Sequence, residues 1–259
     1  MNAKLVHAIK VFTFYVLLFT FFFSPVLFSG RILAFSDSLA LYLPSFFSPV
    51  SLWEPNLQGG FPVAADLQNA TWYPIARLFA LFGFWNGFVI SAYVLISCFS
   101  YAYTYFLTKS WVGAAVSGIV AGMCGFSMAH LCHTIILHGM AWIPFVLLSI
   151  AKLRTEGGRI WFVIGSGAIA FSLLAGHPQI PTYGLIVAGI YALTLASGSN
   201  HPFKFLAICF AMFLAGVSFT AIQLVPLFEL VSQSIREKPD FHFFQSISLK
   251  PLNLTTFIF

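Results

Sequence analysis

Two carboxylates stand in the one long stretch of this chain that does not read as membrane helix, the segment from Arg31 to Arg77. Asp37 lies in Ser36-Asp37-Ser38, directly ahead of Leu39-Ala40-Leu41-Tyr42-Leu43-Pro44. Asp66 lies in Ala65-Asp66-Leu67-Gln68-Asn69. Carboxylates near lipid are costly unless solvated, paired or used. One at a water–membrane boundary can take the proton of a polar acceptor held at hydrogen-bond distance, which is general-base chemistry. Ser-Asp-Ser ahead of an apolar run also suits a helix N-cap, and Asp37 is open to both roles. Asp66 reads as a second acid, binding a divalent cation with Asp37 or orienting a substrate, or else as a turn residue. Two acids so far apart make no metal motif by themselves, and no residue is assigned as a metal ligand.

Other side chains could serve a ligand around these acids. Trp53, Trp72 and Tyr73 are able to stack on sugar rings or to anchor the segment as belt aromatics. Arg31 and Arg77 bracket the segment, as partners for a lipid phosphate or as snorkelling cations. His130-x-x-His133 reads as two imidazoles on one helical face, with His138 extending the set, but no acid or cysteine completes a metal site there. His177 and Gln179, in Gly176-His177-Pro178-Gln179-Ile180-Pro181, form a polar pair at a hinge that cannot continue as regular helix. They read as substrate contacts, as groups facing the acids, or as a hydrogen-bonded turn. The four cysteines show no ligand spacing and read as small core residues.

The elements that must position these groups are apolar helices. Of 259 residues 59% are hydrophobic and 7% charged, and mean hydropathy is +0.92. Soluble domains carry about 25% charged residues, so the pattern is that of an all-α polytopic integral membrane protein, a single membrane domain over residues 1–259. A net charge of +5 without any Lys/Arg run excludes a nucleic-acid partner.

About seven spans are expected: Lys4 to Phe28, Phe88 to Leu107, Trp111 to Ala129, Ile135 to Leu153, Ile160 to Ala175, Thr182 to Ala196 and Phe205 to Phe228. A large outer loop, residues 29–77, follows the first span, an interfacial helix covers Ile75 to Phe82, and residues 229–259 form an outer tail. Glycine and alanine in the third span predict close helix approach. Placing the N-terminus in the cytoplasm puts Lys4, Lys10, Lys109, Lys152, Arg154, Arg159 and Lys204 inside. Asp37, Glu54, Asp66, His130, His133 and His177 then gather outside.

Ser36-Asp37-Ser38-Leu39, Tyr42-Leu43-Pro44, Leu52-Trp53-Glu54-Pro55, Gly59-Gly60-Phe61-Pro62, Ala65-Asp66-Leu67-Gln68 and Trp72-Tyr73-Pro74 together resemble the first outer loop of YfhO-type bacterial membrane proteins. Gly125-Phe126-Ser127, His130 to His133, Ala141-Trp142-Ile143-Pro144 and Gly176-His177-Pro178-Gln179 are similar to later landmarks of that family. The resemblance covers about residues 1 to 230. It implies a GT-C-like glycosyltransferase of the bacterial cytoplasmic membrane, moving a sugar from a polyprenyl-phosphate carrier to a cell-envelope acceptor on the outer face. It also implies that Asp37 is the base and Asp66 a second loop acid, with His177 and Gln179 near the site. Members of the family are much longer, so this chain is expected to be a fragment or a short form. The alternatives are a transporter or flippase of a lipid-linked substrate, and a non-catalytic membrane protein.

Overall fold

The computed structural model describes residues 3–57, 59–234, 241–246 and 248–257. About 20 residues of apolar helix are needed to cross a hydrocarbon core. Among the described residues six helical stretches are long and apolar enough: Leu5–Phe22, Trp85–Thr108, Trp111–Ala129, Thr134–Thr155, Gln179–Ser197 and Pro202–Phe219. The chain is an all-helical integral membrane protein, and its one strand-like pairing in these residues is a bridge between Glu54 and Phe61.

The helices in order are α1 (Ala3–Phe22), α2 (Ser24–Leu27), α3 (Leu43–Phe47), α4 (Pro74–Leu81) and α5 (Trp85–Thr108). Then come α6 (Trp111–Met123), α7 (Gly125–Ala129), α8 (Thr134–Ala141), α9 (Ile143–Thr155) and α10 (Arg159–Leu174). The last are α11 (Gln179–Ser197), α12 (Pro202–Phe219), α13 (Ala221–Ser232) and α14 (Phe241–Ser246). A π-helical turn, Ser38–Tyr42, leads into α3, and 3₁₀ turns cover Leu67–Asn69 and Pro251–Phe257.

Two expected spans differ. The fifth is α10, 16 residues long, which falls short of a full crossing by length and packs against α9 and α12. The seventh stops at Phe219. Thr220 leaves helical geometry (φ −95°, ψ 4°), its hydroxyl turns back to Val217 O at 2.7 Å, and α13 begins as a separate helix with Pro226 inside it. Glu229, expected to open a polar tail, is inside α13, whereas Arg236, Glu237, Lys238 and Asp240 lie outside the described residues.

The core is built around α5, which packs against α1, α4, α6, α8 and α9. The small residues of α6 let that packing close. Tyr15 and Ser97 occupy the space a side chain at Gly118 would need, and Phe19 and Ser97 that at Gly122. Tyr15 Oη donates to Ala115 O at 3.0 Å across the same contact.

The two ends of the bundle differ in charge. At one end His7 meets Tyr101 and Tyr105, Lys109 and Lys152 lie over the Phe106 ring, and Arg154 donates to Leu195 O and Gly198 O. Asp37, Asp66, His133 and His177 belong to segments that cap the other end. Gly118→Leu is expected to force α1 from α5 and α6 and to destabilise the protein by about 1–3 kcal/mol, the usual cost of overpacking. Thermal unfolding in detergent, with Gly167→Leu in open space as the control, reads this out.

Candidate functional site

At bilayer depth irregular backbone must have its polar groups satisfied by protein. The loop that follows α1 achieves this through single polar side chains borrowed from the helix ends. Asn86 accepts from Leu33 N (2.8 Å) and donates to Arg31 O (2.9 Å), while Trp85 Nε1 donates to Leu33 O (2.9 Å). Ser38 Oγ donates to Cys132 O at 2.8 Å, joining the loop to the turn between α7 and α8. Gln223 of α13, almost fully buried, donates to Ala64 O and Ala65 O at 3.0 and 3.1 Å. Gly176, at φ +109°, brings the α10–α11 hinge against the carbonyl of Leu67 so closely that a Cβ has no room.

Asp37 stands in the middle of this clamp. Ser36 adopts the left-handed conformation (φ 51°), which leaves Asp37 at φ −60°, ψ −32°, already helical. A capping side chain needs an extended backbone, and Asp37 makes no capping hydrogen bond. Its half-exposed carboxylate instead meets His133, with Oδ2 3.3 Å from Nε2. Ser36 Oγ is 3.5 Å from Oδ1. The imidazoles of His130 and His133 are 5.3 Å apart, in the turn between α7 and α8 and not along one helix face as the sequence spacing predicts.

Asp66 has the backbone that Asp37 lacks (φ −77°, ψ 116°), and it caps the 3₁₀ turn. Oδ1 accepts from Gln68 N at 3.0 Å, and Oδ2 lies 3.4 Å from Asn69 Nδ2. Burial raises its carboxyl above the usual value, partly offset by the Gln68 amide. The turn reading therefore describes its geometry. Among the described residues no three His, Cys, Asp or Glu side chains are grouped to hold a metal ion.

Tyr73 is not available to a ligand. It is fully buried, its hydroxyl accepts from Trp142 Nε1 (3.1 Å) and meets His138 Nδ1 (3.0 Å), and His138 Nε2 meets Phe88 O (3.1 Å). Every polar atom of this chain is satisfied if His138 carries its proton on Nε2. His138 thus belongs to the core and not with His130 and His133. Trp53 is exposed, with its ring folded over Gly60. Trp72 Nε1 donates to Ala64 O at 3.3 Å, an anchoring role. Gln179 is exposed at the start of α11 and donates to Tyr183 Oη at 2.7 Å. Arg31 is exposed, whereas Arg77 is half-buried beside Tyr42, Gln68 and Asn69.

Among the described residues, four buried side-chain atoms have no hydrogen-bond partner: Arg77 Nε, His177 Nδ1, Thr134 Oγ1 and Ser97 Oγ. Three of them belong to residues at the loop end. An orphaned buried polar atom calls for a missing partner, and here two sit on residues the sequence already marks as ligand contacts. Burial lowers the Arg77 guanidinium from its usual value. Burial, then the nearby His133 and His130, lowers His177. Tyr42, buried and facing the charges of Asp37, Cys132 and Asp66, is pushed up to about 12.

Sequence reasoning overlooked Tyr42, Ser38, Trp85, Asn86 and Gln223. A signal existed for Gln223, an amide inside an otherwise apolar run. A cavity of about 700 Å³ lies apart from all of these groups, between α11 and α12, and is lined by apolar side chains such as Leu185, Ala192, Phe210 and Met212. No family model, curated protein or solved structure matches the chain.

Two outcomes follow from this geometry. Gln223→Leu strips two buried carbonyls of their donor and is expected to cost about 1–3 kcal/mol, read as lower thermal stability and faster proteolysis between Ser48 and Asp66. The unfolded chain protonates His177 near the ordinary histidine value of about 6.5, the folded chain only at lower pH. Its neutral form therefore supports folding above that value, and stability falls as pH drops below it. His177→Phe is expected to flatten that acid-side slope in melting curves.

Proposed function

We propose that this protein is a membrane glycosyltransferase, GT-C-like and related to YfhO-type proteins, that moves a sugar from a polyprenyl-phosphate carrier to a cell-envelope acceptor. Asp37 carries the reading. It is a half-exposed carboxylate at the end of a helical bundle, free of capping duty, held in a clamped loop against His133. In the reaction the acceptor hydroxyl oxygen attacks the anomeric carbon and gives its proton to Asp37. The anomeric carbon–phosphate oxygen bond breaks in line, and the lipid phosphate departs with the bonding pair.

Arg77 suits that departing phosphate better than Arg31, because its guanidinium is partly buried and lacks a partner among the described residues. The apolar cleft between α11 and α12 offers a seat for a hydrocarbon chain at bilayer depth. In this reading the loop end faces outward from a bacterial cytoplasmic membrane and the lysine- and arginine-rich end faces the cytoplasm. Trp53, Gln179 and His177 serve the substrate in this reading, and Asp66 shapes the loop.

The test is transfer of labelled sugar from polyprenyl-phosphate donors in proteoliposomes. Asp37→Asn is expected to lower the rate by about 10²-fold or more, the scale of general-base catalysis, with insertion and melting temperature kept. Asp37→Asn transferring at the wild-type rate sinks the mechanism.

A further inference from the structure

We propose that His133 is the positioning residue for Asp37, donating its Nε2–H to Oδ2 so that Oδ1, which meets only the exposed Ser36 hydroxyl at a long 3.5 Å, is open to the acceptor hydroxyl. This rests on Asp37 being the base. The pair is built, not a chance encounter of two flexible side chains. Between the residue after Asp37 and the residue before His133, Ser38 Oγ donates to the carbonyl of Cys132 in a buried bond of 2.8 Å. His133 N donates to His130 O at 2.8 Å, closing the turn that presents the ring. On the other side the left-handed Ser36 fixes the direction of Asp37. Both partners are thus anchored through backbone, and the 3.3 Å approach of Nε2 to Oδ2 follows.

The carboxylate is the more exposed partner, 48% against 33% for the imidazole, which puts the substrate-facing role on Asp37. A thiol role for Cys132 fails on geometry. Its sulfur is 3.3 Å from Nδ1 but only 3.9 Å from Nε2, which places it over the ring face and not along the Nδ1 lone pair. The remaining titratable neighbours are His130, His177 and Tyr42, all of them at the same mouth.

Two measurements on the full chain test this. In ¹⁵N-histidine-labelled protein in detergent, above the ordinary histidine titration range, His133 is expected to show a slowly exchanging Nε2–H that disappears in Asp37→Ala. A bare Nε2, or the same signal in Asp37→Ala, overturns the pairing. In proteoliposomes with a labelled polyprenyl-phosphate hexose, His133→Ala is expected to lower kcat by about 10- to 100-fold with KM kept within about 2-fold. His133→Gln, which returns an N–H at the same reach, is expected to recover most of that loss. Equal loss in both variants at unchanged melting temperature overturns the positioning role. If the wild type transfers no sugar, the transferase reading fails by itself, and the pairing is still decided by the proton signal, which needs no substrate.

Discussion

A long stretch of irregular backbone packs over the ends of several apolar helices, and those of its carbonyls and amides that are buried must find partners in the protein. Everything distinctive in the structure follows from that constraint. Regular helices satisfy their own backbones, so they are free to be almost wholly apolar. Asn86 and Gln223 on those helices are spent on the loop, Ser38 ties the loop to the turn between α7 and α8, and Trp142 and His138 hold Tyr73 in the core beneath it. Polar groups that find no such use, at Arg77, His177 and Thr134, stand out for that reason.

The clamp also explains why Asp37 and Asp66 divide. Both are acids beside turn-forming residues, and the sequence allows a local structural role for each, a cap for Asp37 and a turn for Asp66. The difference is one backbone torsion. At ψ 116° Asp66 turns its carboxylate onto the next amides. At ψ −32° Asp37 has its own backbone in the helical well, and its side chain points away from the amides a cap would serve. Ser36, one position earlier, decides this by taking a conformation that costs a non-glycine residue roughly 1–2 kcal/mol. Such strain persists only where the surroundings hold it, as the bonds on both sides of Asp37 do here.

The all-helical class and most spans were legible in the chain, because length and apolar content set them directly. Two boundaries were not. The break at Thr220 lies inside a continuous apolar run, and hydropathy carries no record of a threonine hydroxyl turned back on its own helix. Arg159–Leu174 looks like its neighbours in composition and differs only in length. Among the candidate site residues the burial of Tyr73 was not legible, since an aromatic before proline reads the same whether it faces a ligand or a histidine 65 positions away. The pairing of Asp37 with His133 joins segments nearly a hundred residues apart, and no local pattern encodes it.

Gln223 has a consequence for assembly in time. It grips Ala64 and Ala65 from 159 and 158 residues further along the chain. A polypeptide that enters the membrane from its N-terminus exposes the loop early, while this donor has yet to be made. The loop must therefore wait, with its carbonyls held by water at the interface, until the helices that follow are threaded. Its final shape is a late event in biogenesis, and the site it carries is completed only after most of the chain is already in place.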